Sequence, residues 1–593
     1  MLLSNEKPLS HSNSAIDDNL MKEFSSKISS ISQLNAVLLD CINKIKDDLL
    51  KDSEIDNDLS KIRALLLLFY FPAILTPQCH SKILNPILKT ISEFPSHTIK
   101  YITNWLSKLP FLLRQVIGSV HFSISMYFAL NAKPSIHSSF IFQNLKVLST
   151  LHTANELQYD PFPPSLLYNH HIDEQIDIED ELEIFNTNKP QSILTYPFAL
   201  SIQTKSDVCK TESHRLMGVV AFHSLLLNVL TSNGQRINDS SMFLTLHVRR
   251  NHLLEDSINQ FMRKDAFSFL KKLKVEFDGE TAVDVGGPSR EYMYLMAEQL
   301  FSPDMGMFVI KNEKYCWFSQ CTFETQQSFF ISGIIVGLAV HNSIVLPIRF
   351  PLVLYKKLMT PKKPLNLSDL ASLDPDIYKS LRSILDMRAN GQDISDLELT
   401  FDTTIDRFGV METVPIAEGM GGVLVTNDNA KLYVKSYVKY LLKTSIGKQF
   451  RWFKKGFEFA CQEPSYKLLE PKELDIIVSG EEVLDWDALQ RCVTYSDGYT
   501  SESKEVKWFW SIFKNFSQEE KLMFLKFTTG TDRAPLGGLG NMNIVIQRGA
   551  DPNRLPVSHT CFNTFILPEY KSKNVMKEKI MDAITQTEGF GIV

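Results

Sequence analysis

Apolar positions recur at helical spacing through the first part of the chain and give way to mixed patterns further on. Residues 1–25 are polar and rich in Ser and Asn, and read as a disordered tail. Leu34, Val37, Leu38, Cys41 and Ile42 then fall at i, i+3, i+4, i+7 and i+8, the stripe of a helix with one buried face. The segments HSKILNPILKTI and HTIKYITNWLSKL continue the pattern, with breaks or kinks expected near Pro86, Pro95 and Pro110, because proline lacks a backbone donor and clashes with the preceding turn. A helical region over 26–155 follows, with no fixed-period repeat that would mark a solenoid. Residues 156–242 read as a connector and helical extension. Within them YDPFPPS is proline-rich, IDEQIDIEDELEIF has the acidic pattern of a solvated helix face, and helix resumes through ESHRLMGVVAFHSLLLNVL.

From Phe243 onward the pattern mixes strand and helix. FLTLHVRRNHLLEDSINQF opens with alternation and ends as an amphipathic helix, and Val275 and Phe277 alternate as a second strand. Gly286 and Gly287 break the chain, and Pro288 suits the first turn of a helix. The run FETQQSFFISGIIVGLAVHNSIVLPIRF is apolar on nearly all sides and belongs inside a large domain, which makes His341 a core histidine. Ile377, Leu381, Ile384 and Met387 step along one helix face, as either core or docking groove. Gly480 separates two helical runs, where its backbone freedom would permit a hinge. Ser517 and Glu520 are spaced as a capping box. Val575, Ile580 and Ile584 mark a last amphipathic helix.

Composition narrows the function classes. A chain of 593 residues exceeds one core and suggests about three or four domain-sized units. The net charge of −6 gives no support to a general nucleic-acid binder, although basic and aromatic residues interleave in KQFRWFKKGF. The eight cysteines form no CxxC pair, which disfavours a zinc ribbon or finger. No GxGxxG or GK[ST] follows the Gly286–Gly287 pair, so phosphate binding is disfavoured there. The N-terminal residues lack an apolar signal-like region, and the run ALLLLFYFPAIL is too short to span a bilayer. Free thiols in a cytosolic or nuclear setting are therefore expected.

The chemistry concentrates in LPVSHTCFNTFILPEYKS. Pro556 and Pro568 oppose a continuous helix across it, and Cys561 lies between a polar and an apolar run. From these residues alone Cys561 is a nucleophile or a buried core thiol. The words LPVSHTCFN and LPEY resemble the active-site segment of the HECT-type ubiquitin ligases, and the resemblance extends over 243–593. Upstream of the catalytic domain, it points to a small subgroup that includes the Angelman-syndrome ligase.

The resemblance implies a mainly α fold with α/β parts: a helical N-terminal region, then a mostly helical N-lobe over 243–479, a hinge at 480–483 and a mixed α/β C-lobe over 484–593. It implies that Cys561 carries ubiquitin as a thioester and hands it to a substrate lysine. His559 beside it would favour the thiolate, relay a proton or brace the loop, and Thr560 would donate to a developing oxyanion or make a structural bond. Phe590, fourth from the end, matches an aromatic that supports lysine transfer in the family. The family's acidic positions fall on Glu280, Asp284 and Glu291. Of these, Asp284 and Glu291 are candidates to assist the attacking amine, with ion pairing to Arg249 or Arg250 as the other reading. Ile377, Leu381, Ile384 and Met387, with Leu399 and Tyr433, match the groove that receives the conjugating enzyme. No metal or organic cofactor is implied, since ATP is consumed earlier by the activating enzyme. Two other classes are a catalytically inactive helical scaffold and a cysteine hydrolase. The latter lacks its CGxCW or QACxG word.

Overall fold

The computed structural model describes residues 9–30, 35–51, 55–187, 192–231, 242–280 and 286–585. The chain divides into two compact units, Met1–Val208 and Cys209–Val593. That division falls inside the stretch 156–242 expected to connect them.

The described residues of the first unit are helical. Pro110–Leu130 and Ser139–Glu156 pack against each other, and Asn85–Glu93 and Ser96–Leu106 pack on the second of them. Pro110 sits in a first turn and Pro95 precedes one, positions whose missing N–H costs no intrahelical bond. Pro86 instead follows on a π-helical turn, His80–Leu84, the break expected there, and the Lys82 carbonyl, to which a proline can give no N–H, accepts from Lys46 Nζ at 2.8 Å. Ser138 caps the Ser139–Glu156 helix by accepting from Ile141 N.

Residues 9–25 differ from the expected tail. Asp18–Ser29 is a helix capped by Asp17, and Ala15, Ile16 and Met21 are buried. The Asp18 carboxylate accepts from the backbone N–H groups of Phe111 and Leu112 at 2.8 and 3.2 Å. It thereby satisfies donors at the start of the Pro110–Leu130 helix that have no intrahelical acceptor. The acidic stretch differs too. Glu181 is buried, accepting from Ser192 Oγ at 2.7 Å and Ile193 N at 3.0 Å, where a solvated face was expected.

The second unit contains two apolar cores. The larger is built on the Gln326–His341 helix, which crosses the Gly447–Ala460 helix with backbones nearly touching. A Cβ at Gly333 would lie 1.9 Å from the Phe453 carbonyl oxygen, and one at Gly456 would lie 1.9 Å from that of Phe330. Only hydrogen fits at either place. His341 is buried as expected and paired with the Glu463 carboxylate, which also accepts from Ser213 Oγ at 2.8 Å. A parallel strand pair, Leu244–Val248 with Leu273–Phe277, flanks this core, as does the Gly287–Leu300 helix with Pro288 in its first turn.

The smaller core belongs to residues after Gly480. Four strands, in the order Thr494–Ser496, Val545–Gly549, Thr564–Pro568 and Val557–His559, form one sheet. The last two run antiparallel and the other pairs parallel. Helices Lys504–Lys514, Gln518–Thr529 and Lys573–Thr585 contribute to the same core. Ser517 and Glu520 form the expected capping box on the Gln518–Thr529 helix. Gly480, at φ +76, ends the Pro471–Ser479 helix and starts the connection between the two cores. A Cβ there would lie 2.5 Å from the Ala534 carbonyl oxygen.

Candidate active site

Cys561 occupies a one-turn 3-10 segment, Thr560–Phe562, between the strands Val557–His559 and Thr564–Pro568. Thr564 pairs with His559 and Phe565 with Ser558, so the sheet fixes both ends of the turn. Asn563 follows in the left-handed region at φ 48, where asparagine is better tolerated than most residues. Its side chain donates to the Met542 carbonyl at 2.6 Å, and its own carbonyl accepts from Val545 N at 3.0 Å. Ser558 Oγ donates to the Phe527 carbonyl at 2.5 Å, which fastens the approach to the turn onto the Gln518–Thr529 helix. Gly530, just past that helix, lies against Thr560. His559 and Phe562, flanking the turn's interior, are exposed, and Thr560 is half-buried. The side chain of Cys561, together with Asp284 and Phe590, lies outside the described residues.

The turn packs on two helices, Gln518–Thr529 of its own lobe and Gly287–Leu300 of the larger one. Beside it a cleft of about 290 Å³ opens between the lobes. Arg290 and Tyr294 line one wall, and Thr531, Arg533 and Asn563 line the other.

Of the acidic candidates, Glu291 and Glu280 are held by one guanidinium. Arg250 reaches Glu280 at 2.5 Å and Glu291 at 2.6 Å, and its guanidinium lies 4.1 Å from the centroid of the Phe277 ring. Arg249 instead pairs with Asp256 at 2.7 Å. Arg250 thus ties the end of one N-lobe strand to the first turns of the Gly287–Leu300 helix. Glu291 is thus held by ion pairing to Arg250.

The stripe Ile377, Leu381, Ile384 and Met387 lies on the Pro375–Ala389 helix, which packs on the Ala430–Lys439 helix that carries Tyr433. Leu381, Ile384 and Tyr433 are 3, 5 and 5% exposed and belong to the N-lobe core. Ile377, Met387 and Leu399 are partly buried against it. Leu381 and Ile384 thus serve as packing, while Ile377 also borders a cavity of about 460 Å³. The apolar residues this subdomain turns outward are others, among them Leu397, Leu424 and Leu432, with Phe408, Val410 and Met411 on its hairpin. Sequence periodicity singled out the inward face because a regular stripe is the mark of burial. The outward residues are spread over a helix, a strand, a 3-10 turn and loops, so no single period joins them.

A cysteine held in a tight strand-connecting turn, in a small α/β lobe tethered to a larger helical one, makes this a bilobal domain with a candidate nucleophile in its smaller lobe. The family described as HECT-domain (ubiquitin-transferase) matches residues 294–593. The chain belongs to the HECT family. It is 38% identical over 465 residues to "Probable E3 ubiquitin-protein ligase HECTD2" of Mus musculus, covering 75% of this chain and 59% of the relative. It is 32% identical over 567 residues to "Probable E3 ubiquitin-protein ligase HERC4" of Homo sapiens, covering 90% and 53%. It is 33% identical over 428 residues to "Probable E3 ubiquitin-protein ligase mug30" of Schizosaccharomyces pombe, covering 67% and 52%. The chain thus spans a little over half the length of these curated relatives. Among the described residues no helix is long and apolar enough to cross a membrane.

Proposed function

We propose that the chain is a ubiquitin–protein transferase that accepts ubiquitin from a conjugating enzyme on Cys561 and passes it to a lysine of a protein substrate. The observation that carries this reading is the placement of Cys561, in a turn pinned by the sheet and set against the other lobe. Two transfers are involved. The Cys561 thiolate attacks the thioester carbonyl on the conjugating enzyme; a new S–C bond forms and the enzyme's thiolate leaves. A lysine amine then attacks the Cys561 thioester, an N–C bond forms, the amine proton goes to solvent or a nearby base, and the Cys561 thiolate departs. Bond broken and bond formed are alike in the first exchange, so the protein's task is to position the reactants rather than to activate an inert bond. An ordinary thiol ionises near pH 8.5, so the ionised fraction of Cys561 is one lever on rate.

Phe590, His559, Thr560 and Asp284 are assigned to the second transfer or to shaping the turn on the strength of the family pattern. Glu291 joins them as a residue that acts through Arg250. The conjugating enzyme docks on the 375–437 subdomain, whose outward apolar residues Leu397 and Leu424 lie beside the Leu399 position. Within the family, the helical region upstream suggests the small subgroup that includes the Angelman-syndrome ligase. The described cysteines are free thiols, in keeping with a cytosolic or nuclear protein.

The test is incubation with activating enzyme, conjugating enzyme, ubiquitin and ATP. A reductant-sensitive ubiquitin adduct is expected on the wild-type chain and none on Cys561→Ala. An adduct that persists in Cys561→Ala, or never forms on wild type, would falsify the assignment.

A further inference from the structure

The Gly287–Leu300 helix of the larger lobe presents Tyr294 and Glu298, one turn apart, to the Gln518–Thr529 helix of the smaller lobe. Lys526 reaches across between them. Its ammonium lies 4.4 Å from the centroid of the Tyr294 ring and 3.6 Å from the Glu298 carboxylate. The ring is nearly buried, at 8% exposure, and its face attracts the cation more strongly away from water. Lys526 is also close to the Cys561 turn. Its carbonyl accepts from Gly530 N at 2.8 Å, Gly530 abuts Thr560, and the neighbouring Phe527 carbonyl holds Ser558. The one side chain thus grips the other lobe within a turn of the backbone that supports the sulfur-bearing segment.

In this arrangement the Cys561 turn is pressed on the Gly287–Leu300 helix. Loading, on the function proposed above, requires the turn to meet a conjugating enzyme on the 375–437 subdomain instead. The closed arrangement therefore serves the other half of the reaction.

We infer that Lys526, clamped between Tyr294 and Glu298, is a positioning residue that holds the Cys561 turn on the larger lobe for transfer to the acceptor amine and that must let go for loading. This inference rests on the proposed transferase reading. The exposed ion pair alone contributes little; the ring contact and the pair together set how much of the time the lobes are closed.

The experiment uses the whole 593-residue chain. Wild type, Lys526→Ala, Glu298→Gln and Lys526→Arg are loaded with ubiquitin in a pulse and chased with free lysine. Loading is expected within about twofold of wild type in all four. Discharge is expected to slow about fivefold in Lys526→Ala, less in Glu298→Gln, and to recover in Lys526→Arg, which keeps a cation over the ring. Discharge unchanged in Lys526→Ala, or loading and discharge reduced equally, overturns the inference. A second measurement reads the clamp without catalysis. Amide exchange in 287–300 and 558–563 is expected to quicken in Lys526→Ala while the rest of each lobe keeps its protection. Unchanged exchange there also overturns the clamp. A wild-type chain that never loads would instead count against the transferase reading, with amide exchange still deciding whether Lys526 joins the lobes.

Discussion

At the scale of single residues, the buried Glu463 shows how position sets charge. Burial pushes its carboxyl up, but the His341 ring and the Ser213 hydroxyl outweigh that and hold it below its ordinary value of 4.5. A carboxyl that ionises more readily when folded stabilises the fold above its unfolded value, and that contribution is lost as pH falls through the folded one. Urea denaturation across about pH 6 to 3.5 should therefore show stability dropping below about 4.5, and Glu463→Gln should flatten that drop. An equal slope in both proteins would remove Glu463 from the acid response. The cysteine segment was legible at this scale because LPVSHTCFN is long, contiguous and bracketed by prolines. Arg250 was legible only in part. Its position suggested an ion pair, but nothing in the chain says that one guanidinium serves both Glu280 and Glu291, which lie eleven positions apart. The Lys526–Tyr294 contact had no signal at all, since a cation over a distant ring leaves no spacing or period to find.

Among elements, the Gln326–His341 and Gly447–Ala460 helices make the sharpest prediction. Gly333→Ala inserts a methyl where a carbonyl oxygen stands 1.9 Å away. It should cost about 3 kcal/mol or more, read as a lowered denaturation midpoint. A midpoint within error of wild type would mean the helices separate more easily than their contact implies. The apolar run revealed that this helix is buried, but not that two glycines let another backbone approach; a glycine within a helix otherwise reads as a weak point. Leu381 decides between core and groove for the helix that carries it. As an inward residue at 3% exposure, Leu381→Ala should lower stability by about 3 kcal/mol. If stability holds and only affinity for the conjugating enzyme falls, the stripe works as a groove after all. Residues 9–25 read as a tail in the sequence for a related reason. Their buried anchors, Ala15, Ile16 and Met21, are too few and too close to a polar run to show a period.

At the scale of the whole molecule, the resemblance to the HECT ligases implied two lobes hinged at 480–483, and the second unit has two cores joined at Gly480. How the lobes meet was not legible, because the contacts that join them are far apart in sequence, among them Glu481 N to the Ala534 carbonyl at 2.9 Å, Lys314 with Glu482, and Lys526 with its two partners. In the upstream unit a rule the sequence displays, proline opening a helix, operates beside one it hid, the Asp18 carboxylate capping the start of that same helix from far away in the chain.

Because each lobe seals its own oily interior, turning one against the other wets little hydrocarbon beyond the Tyr294 ring and the walls of the cleft. The swing should carry a small heat-capacity change and little temperature dependence in its equilibrium, unlike partial unfolding. What resists the motion is a handful of charges and amide bonds, so dissolved salt, more than warmth, should tune how often the arm lets go.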